Sequence, residues 1–417
     1  MASAAPIRNS KPQLRGLPGA IWALGLTSLL MDFSSEMIHA LLPAYLVTTL
    51  GMSALSVGFI EGVAEATASI TKVFSGAISD WLGRRKFLTV LGYGLAAIVK
   101  PIFPLADTVG WLITARFLDR VGKGIRGAPR DALIADIAPL NMRGASFGLR
   151  QSLDTVGAFL GPLAAIGLMW WTADNIRAVF WVAVIPAFAA CATIFLAVKE
   201  PKRPANARPA RVPLSLPELQ RLGPAFWWVV ALAAVFTLAR FSEAFLILRV
   251  QTGGLPIMWL PAVLVIMNVV YAASAYPTGL LADRVDRPLI LGAGLLVLVA
   301  ADLVLASSST LTGVILGVAL WGLHMGLTQG LVATLVAEAA PPELRGTAFG
   351  MLNLVIGLTS LAASVIAGAL WKFHGPSDTF LAGAGFAGAA FLGLLLLQNR
   401  LRSTGAPVSQ SHDRETP

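Results

Sequence analysis

Gly76-Ala-Ile-Ser-Asp80-Trp-Leu-Gly83-Arg84-Arg85-Lys86 returns in altered form as Gly279-Leu-Leu-Ala-Asp283-Arg-Val-Asp-Arg287-Pro-Leu, with the two aspartates 203 residues apart. A second stretch, Ala135-Asp-Ile-Ala-Pro-Leu-Asn-Met-Arg143-Gly-Ala-Ser-Phe-Gly148, matches Ala337-Glu-Ala-Ala-Pro-Pro-Glu-Leu-Arg345-Gly-Thr-Ala-Phe-Gly350, with its arginines 202 residues apart. Two separate matches at nearly one offset mark an internal duplication, so the chain reads as two homologous halves in tandem.

The residues around these motifs say what solvent the halves live in. Of 417 residues, 56% are hydrophobic and 13% charged, and the mean hydropathy is +0.74. A water-soluble surface needs more charge than that, whereas hydrocarbon rewards apolar surface and excludes charge. A helix crosses the bilayer with about 20 apolar residues. Twelve such stretches are expected, near 18–48, 55–79, 86–105, 110–138, 144–171, 176–198, 224–250, 255–281, 288–306, 310–338, 346–371 and 378–399.

The net charge of +9 does not call for nucleic acid, because the bases gather between the spans. Arg84, Arg85 and Lys86 follow span two, Arg143 follows span four, and Arg284, Arg287 and Arg345 follow spans eight and ten. Residues 199–223 join spans six and seven and are rich in Pro and Arg. The alternate connections, such as Gly51–Ala54 and Ser307–Thr310, carry almost no base. The positive-inside rule then places both termini and the central link in the cytoplasm. The polar, basic start of the chain lacks a signal-peptide cleavage pattern, so span one is expected to be retained. The organisation expected is a tail at 1–17, a six-helix bundle at 18–198, a linker at 199–223, a second bundle at 224–400 and a tail at 401–417. Cys191 is the single cysteine and lies in an apolar run, where it reads as a packing residue. No Cys/His cluster has metal-ligand spacing, and no metal or cofactor is expected.

The Gly-x-x-x-Asp-x-x-Gly-Arg-Arg-Lys signature between spans two and three resembles the best-known loop motif of the major facilitator superfamily, and with the repeat the resemblance covers residues 18–400. The resemblance implies an all-α integral membrane fold of twelve transmembrane helices in two pseudo-symmetric six-helix bundles around a central cavity. It makes Gly76, Asp80, Gly83, Arg84 and Arg85, with Asp283 and Arg287 of the degraded second copy, conformational latches. Asp286 and Pro288 stand there in place of Gly and a second Arg. In span five, Gly148, Gly157, Gly161 and Pro162 have a spacing similar to the antiporter motif of proton-coupled exporters in this superfamily, although Ala165 and Ile166 replace its last glycines. The same residues read without the resemblance are a small-residue helix-packing face.

Ionisable side chains at bilayer depth are costly and mark function by default. Span one has Asp32 and Glu36, span two Glu61, Glu65 and Lys72, and span five Arg150 and Asp154. Span four has seven: Arg116, Asp119, Arg120, Lys123, Arg126, Arg130 and Asp131. At about 100° per residue these seven fall within an arc of about 140°, so they face one another or a wet cavity. The named acids and bases of the first half balance, which favours mutual pairing as the plain alternative to contact with proton or solute. Arg116-Phe-Leu-Asp119-Arg120-Val-Gly122-Lys123-Gly124 partly resembles the superfamily's Arg-containing proton-coupling element, with Asp119 and Arg120 as departures. The second half keeps Arg240, Glu243 and Arg249 in span seven and His324 in span ten. Its equivalent of the charged segment, HMGLTQGLVATLVAEAAP at His324–Pro341, is nearly neutral.

Proton coupling needs a carboxylate that changes its protonation, and Glu36 and Asp154 are the favoured pair, with Arg116, Arg120 and Lys123 as partners. The function expected is secondary active transport of a small-molecule substrate across a bacterial inner membrane, as proton-coupled export by a monomer embedded in the lipid bilayer. The alternatives are movement of a charged solute such as an organic anion or metal complex in either direction, or a membrane sensor that no longer transports. No nucleophile–base motif or phosphate loop supports an enzyme.

Overall fold

A computed structural model of the chain describes residues 16–139, 142–199, 216–282, 285–328, 331–341 and 344–403. Helices fill these segments, and no strand occurs among the described residues. Span one is Gly19–His39, continued after a turn by Leu42–Ala44 and a π-helical Tyr45–Thr49. Spans two to six are Ala54–Leu82, Arg85–Val99 extended by Ile102–Leu105, Val109–Ile137, Arg143–Trp171 and Ile176–Ala197. Span seven is Pro224–Ala239 broken before Ala244–Thr252, and span eight is Ala262–Ala282. Span nine is Arg287–Ser307, span ten Leu311–Thr328 with Leu331–Ala339, span eleven Arg345–Phe373 and span twelve Pro376–Ser403.

Nine helices among the described residues are long and apolar enough to cross a membrane. Spans one, two and four are the long helices outside that set, and they are the ones that carry most of the charged stripes. The breaks have local causes. Gly83 sits at φ +66° and ends span two in a left-handed turn that a Cβ would strain, so the chain reverses directly into span three. Span seven opens at Arg240-Phe-Ser-Glu243, a polar interruption in an apolar run.

The chain divides into two compact units: residues through Leu42 with Thr67–Val212, and Pro43–Ala66 with Pro213 onward. In the first unit span one packs on spans five and six, and span three on spans four and six. In the second unit span nine packs on spans ten and twelve, span eight on ten, and span seven on eleven and twelve. The first half of span two belongs to the second unit, because Gly58 and Gly62 lie against Ser364 and Leu361 of span eleven. Glu61 and Glu65 travel with that half.

Candidate functional site

The membrane-embedded charge of the first unit is held by three contacts between helices. The first is built on span five. Gly157 and Gly161 have no room for a Cβ: one at Gly161 would meet the Phe33 carbonyl oxygen at 2.7 Å and the Glu36 Cβ at 2.9 Å, and one at Gly157 would strike the Leu29 backbone. These two glycines therefore bring span five onto span one beside Asp32 and Glu36. There Asp154 accepts from Arg150 Nη1 at 3.4 Å, and the Asp32 carboxyl comes within hydrogen-bonding reach of Asp154. Lys123 of span four faces both acids of span one. Glu36 is engaged by His39 at 3.3 Å, one turn along its own helix. Gly148 has open space around it and makes no comparable approach.

The second contact was invisible to the stripe argument. Lys100, at the end of span three and 1% exposed, pairs with Asp119 at 3.1 Å and donates to Ser35 Oγ at 3.0 Å. It ties spans one, three and four together. It lies inside the span expected at 86–105, yet was not among the embedded charges named from the sequence. Arg116 and Arg120 are buried on the same face of span four.

The third contact centres on Tyr93 of span three, which is fully buried. The Arg126 guanidinium stands 4.8 Å from its ring centroid. Its hydroxyl shares a hydrogen bond with Ser28 at 3.3 Å, and Arg130 Nη1 donates to both, at 3.1 Å to Ser28 and 3.5 Å to Tyr93. Arg130 also pairs with Asp131 at 3.2 Å.

Lys100 thus joins the bases that the sequence named in the first half, and Glu61 and Glu65 fall with the second unit.

The two quoted repeat stretches meet in the first unit. Arg85 Nη1 pairs with Asp136 at 2.7 Å and donates to the Ala132 carbonyl at 2.8 Å, so the loop signature is tied to the end of span four. Arg84 is exposed, and Gly76 lies beside Ala128 of span four. Asp283 and the side chain of Asp80 lie outside the described residues, and Arg287 begins span nine. Pro162 sits inside span five.

The second unit holds its few charges differently. His324 makes a 3.0 Å hydrogen bond between Nδ1 and the Gly294 carbonyl and stands edge-on to Phe236 and Trp321. Asp302 of span nine is fully buried and accepts from Trp321 Nε1 at 3.0 Å. It is a lone acid in a long apolar run, a signal the sequence contained but the search for stripes passed over. Arg240 lies over Phe236, Glu243 begins the second helix of span seven, and Arg249 donates to the Leu305 carbonyl at 2.8 Å. Among the described residues, no three His, Cys, Asp or Glu side chains gather as a metal site.

A dense helical membrane fold with buried, mutually facing charge defines a multi-pass transporter. The sequence profile of the Major Facilitator Superfamily matches residues 24–364, and the chain belongs to that family. It is 34% identical to the uncharacterised MFS-type transporter MJ1317 of Methanocaldococcus jannaschii over 392 residues, covering 92% of this chain and 95% of that one. A shorter match, 36% over 131 residues, covers 29% of this chain and 28% of the probable galactarate/D-glucarate transporter GudP of Escherichia coli. Among solved structures, a POT family transporter in complex with 5-aminolevulinic acid superposes with a TM-score of 0.78 at 13% identity, over 94% of this chain and 98% of that one. The fold is thus that of the major facilitators, and the chain is a membrane transporter.

Proposed function

We propose that the chain is a proton-coupled exporter, moving a small organic solute across a bacterial inner membrane by alternating access as a monomer. Its termini and the 199–223 link would lie in the cytoplasm, as the basic loops favour. The observation that carries the proposal is the meeting of Asp32 and Asp154 beside Arg150. Two carboxylates in contact repel unless a proton or a cation joins them, and an arginine that approaches or withdraws changes which of the two is needed. Such a pair takes up a proton in one state of a transporter and yields it in another. The glycines that press the pair together, Gly157 and Gly161, belong to the antiporter-like motif, which supports exchange of solute for proton. Lys123 serves as the further partner from span four. Gly76, Asp80, Gly83, Arg84 and Arg85, with Asp283 and Arg287, act as latches, a role supported for the first copy by the Arg85–Asp136 pair.

The test is internal pH in proteoliposomes loaded with a pH dye, during a screen of organic anions, cations and neutral drugs. A solute-dependent pH change is expected, abolished by Asp154→Asn and by Asp32→Asn and reduced less by Glu36→Gln. A pH change that survives both aspartate substitutions removes the pair from coupling. Solute flux with no pH change removes proton coupling itself.

A further inference from the structure

The second unit has a cavity away from its buried charges, where the chain enters span seven. It holds about 680 Å³, and its lining includes Gln220, Arg221, Pro224, Trp227, Trp228 and Ala231. Pro224, Trp227, Trp228 and Ala231 recur at the three- and four-residue spacing of one helix face. Both tryptophans are exposed, at 38% and 43%, and indoles at a helix end mark the membrane–water interface. Ala231, one turn further along the same face, is small and exposed, so the rings overhang a groove. The rise from Pro224 to Ala231 is about 10 Å, whereas the headgroup layer on one side of a bilayer is about 5–8 Å deep. The groove therefore passes from the headgroups into hydrocarbon.

Arg221 stands at the wet end of this groove. It is exposed and forms no ion pair among the described residues. The segment it closes, residues 199–223, has six basic side chains against two acidic ones, Glu200 and Glu218, which gives this membrane surface a positive field. A cation at the water line, aromatic rings at the interface and an apolar floor below them match, in that order, the parts of a phospholipid. We propose that the cavity holds an anionic phospholipid, with its phosphate against Arg221, its ester region against the two indoles and an acyl chain along Ala231. The site needs only the bilayer, neither proton coupling nor a particular solute. Bound there, the lipid anchors to the membrane surface the joint where the 199–223 link enters the second unit.

The experiment counts the lipids retained by the purified full chain in native mass spectrometry, after exchange into mixed micelles of phosphatidylglycerol and phosphatidylcholine with matched acyl chains. Phosphatidylglycerol should be retained in preference. Arg221→Gln should weaken that retention about fivefold, the share of one basic side chain at an anionic surface, and Arg221→Lys should keep most of it. Trp227→Ala keeps the cation and should also weaken retention. Arg177→Gln, an exposed charge beside Asp107 at the other ends of the helices, is the control and should retain lipid as the parent does. Melting of Arg221→Gln in phosphatidylcholine alone should match the parent, which separates a lost lipid contact from a damaged fold. Soluble glycerol phosphate, the headgroup chemistry without chains, should not displace the lipid at matched concentration. Equal retention of the two lipids by the parent, equal phosphatidylglycerol retention by Arg221→Gln and the parent, an equal loss in Arg177→Gln, or displacement by glycerol phosphate each overturns the proposal.

Discussion

The two units of this chain share an ancestor but hold their interiors together by opposite means. In the first, helices meet through charge: Lys100 with Asp119, Asp32 with Asp154, and Arg126 and Arg130 on Tyr93. In the second, aromatic rings pack together, with Phe241 against Phe245, Trp321 and Phe380, and the buried Asp302 and His324 each hydrogen-bond one neutral partner. Duplication supplied one scaffold twice, and the charged segment of span four in the first half has a nearly neutral counterpart at His324–Pro341 in the second. The contrast separates work from support: a transporter needs groups that change partners, and packed aromatic rings change partners poorly.

The comparison can be broken at its strongest point first. If charge pairs hold the first unit, Lys100→Ala strands a buried carboxylate and should cost about 3–5 kcal/mol, seen as a large fall in melting temperature. Lys100→Ala combined with Asp119→Ala should recover much of the loss. A double variant no better than the single one would show that Lys100 acts by packing and that the first unit is not charge-held. A smaller effect sharpens the picture of how the charges are brought together. Gly161→Val inserts bulk between spans one and five and should cost about 1–3 kcal/mol, with loss of solute-driven pH change beyond what the stability loss explains. The smallest effect is expected in the second unit. Asp302→Asn keeps an oxygen for Trp321, should cost about 1 kcal/mol or less in stability, and should leave the pH dependence of transport where it was. A shifted pH profile in that variant would mean that the second unit also handles protons, and the division of labour would fall.

Much of this was legible in the residues, and the failures are instructive. Hydropathy located the spans because the bilayer fixes their length, and helical periodicity found the stripe on span four because every member shares one face. Pairs within a helix, Glu36 with His39 and Arg150 with Asp154, follow from spacings of three and four. The Asp32–Asp154 contact does not follow, since it depends on how closely two helices approach, and that is decided by what Gly157 and Gly161 lack. Lys100 escaped because, although it lies inside the span expected at 86–105, a single charge there forms no stripe. No periodicity signals Asp302, because a single residue has no period. The broken span seven was written in Arg240-Phe-Ser-Glu243, but a polar interruption fixes only the place of a break, not its geometry.

The Lys100 contact has one more consequence. Attraction between unit charges scales inversely with the local dielectric constant, so the tie that joins spans one, three and four is strong only while its surroundings stay dry. Each water molecule admitted beside Ser35 would slacken all three helices at once. Lys100 and Asp119 thus behave as a hygrometer set inside the protein, stiffening the first unit when it is sealed and loosening it when it is wet.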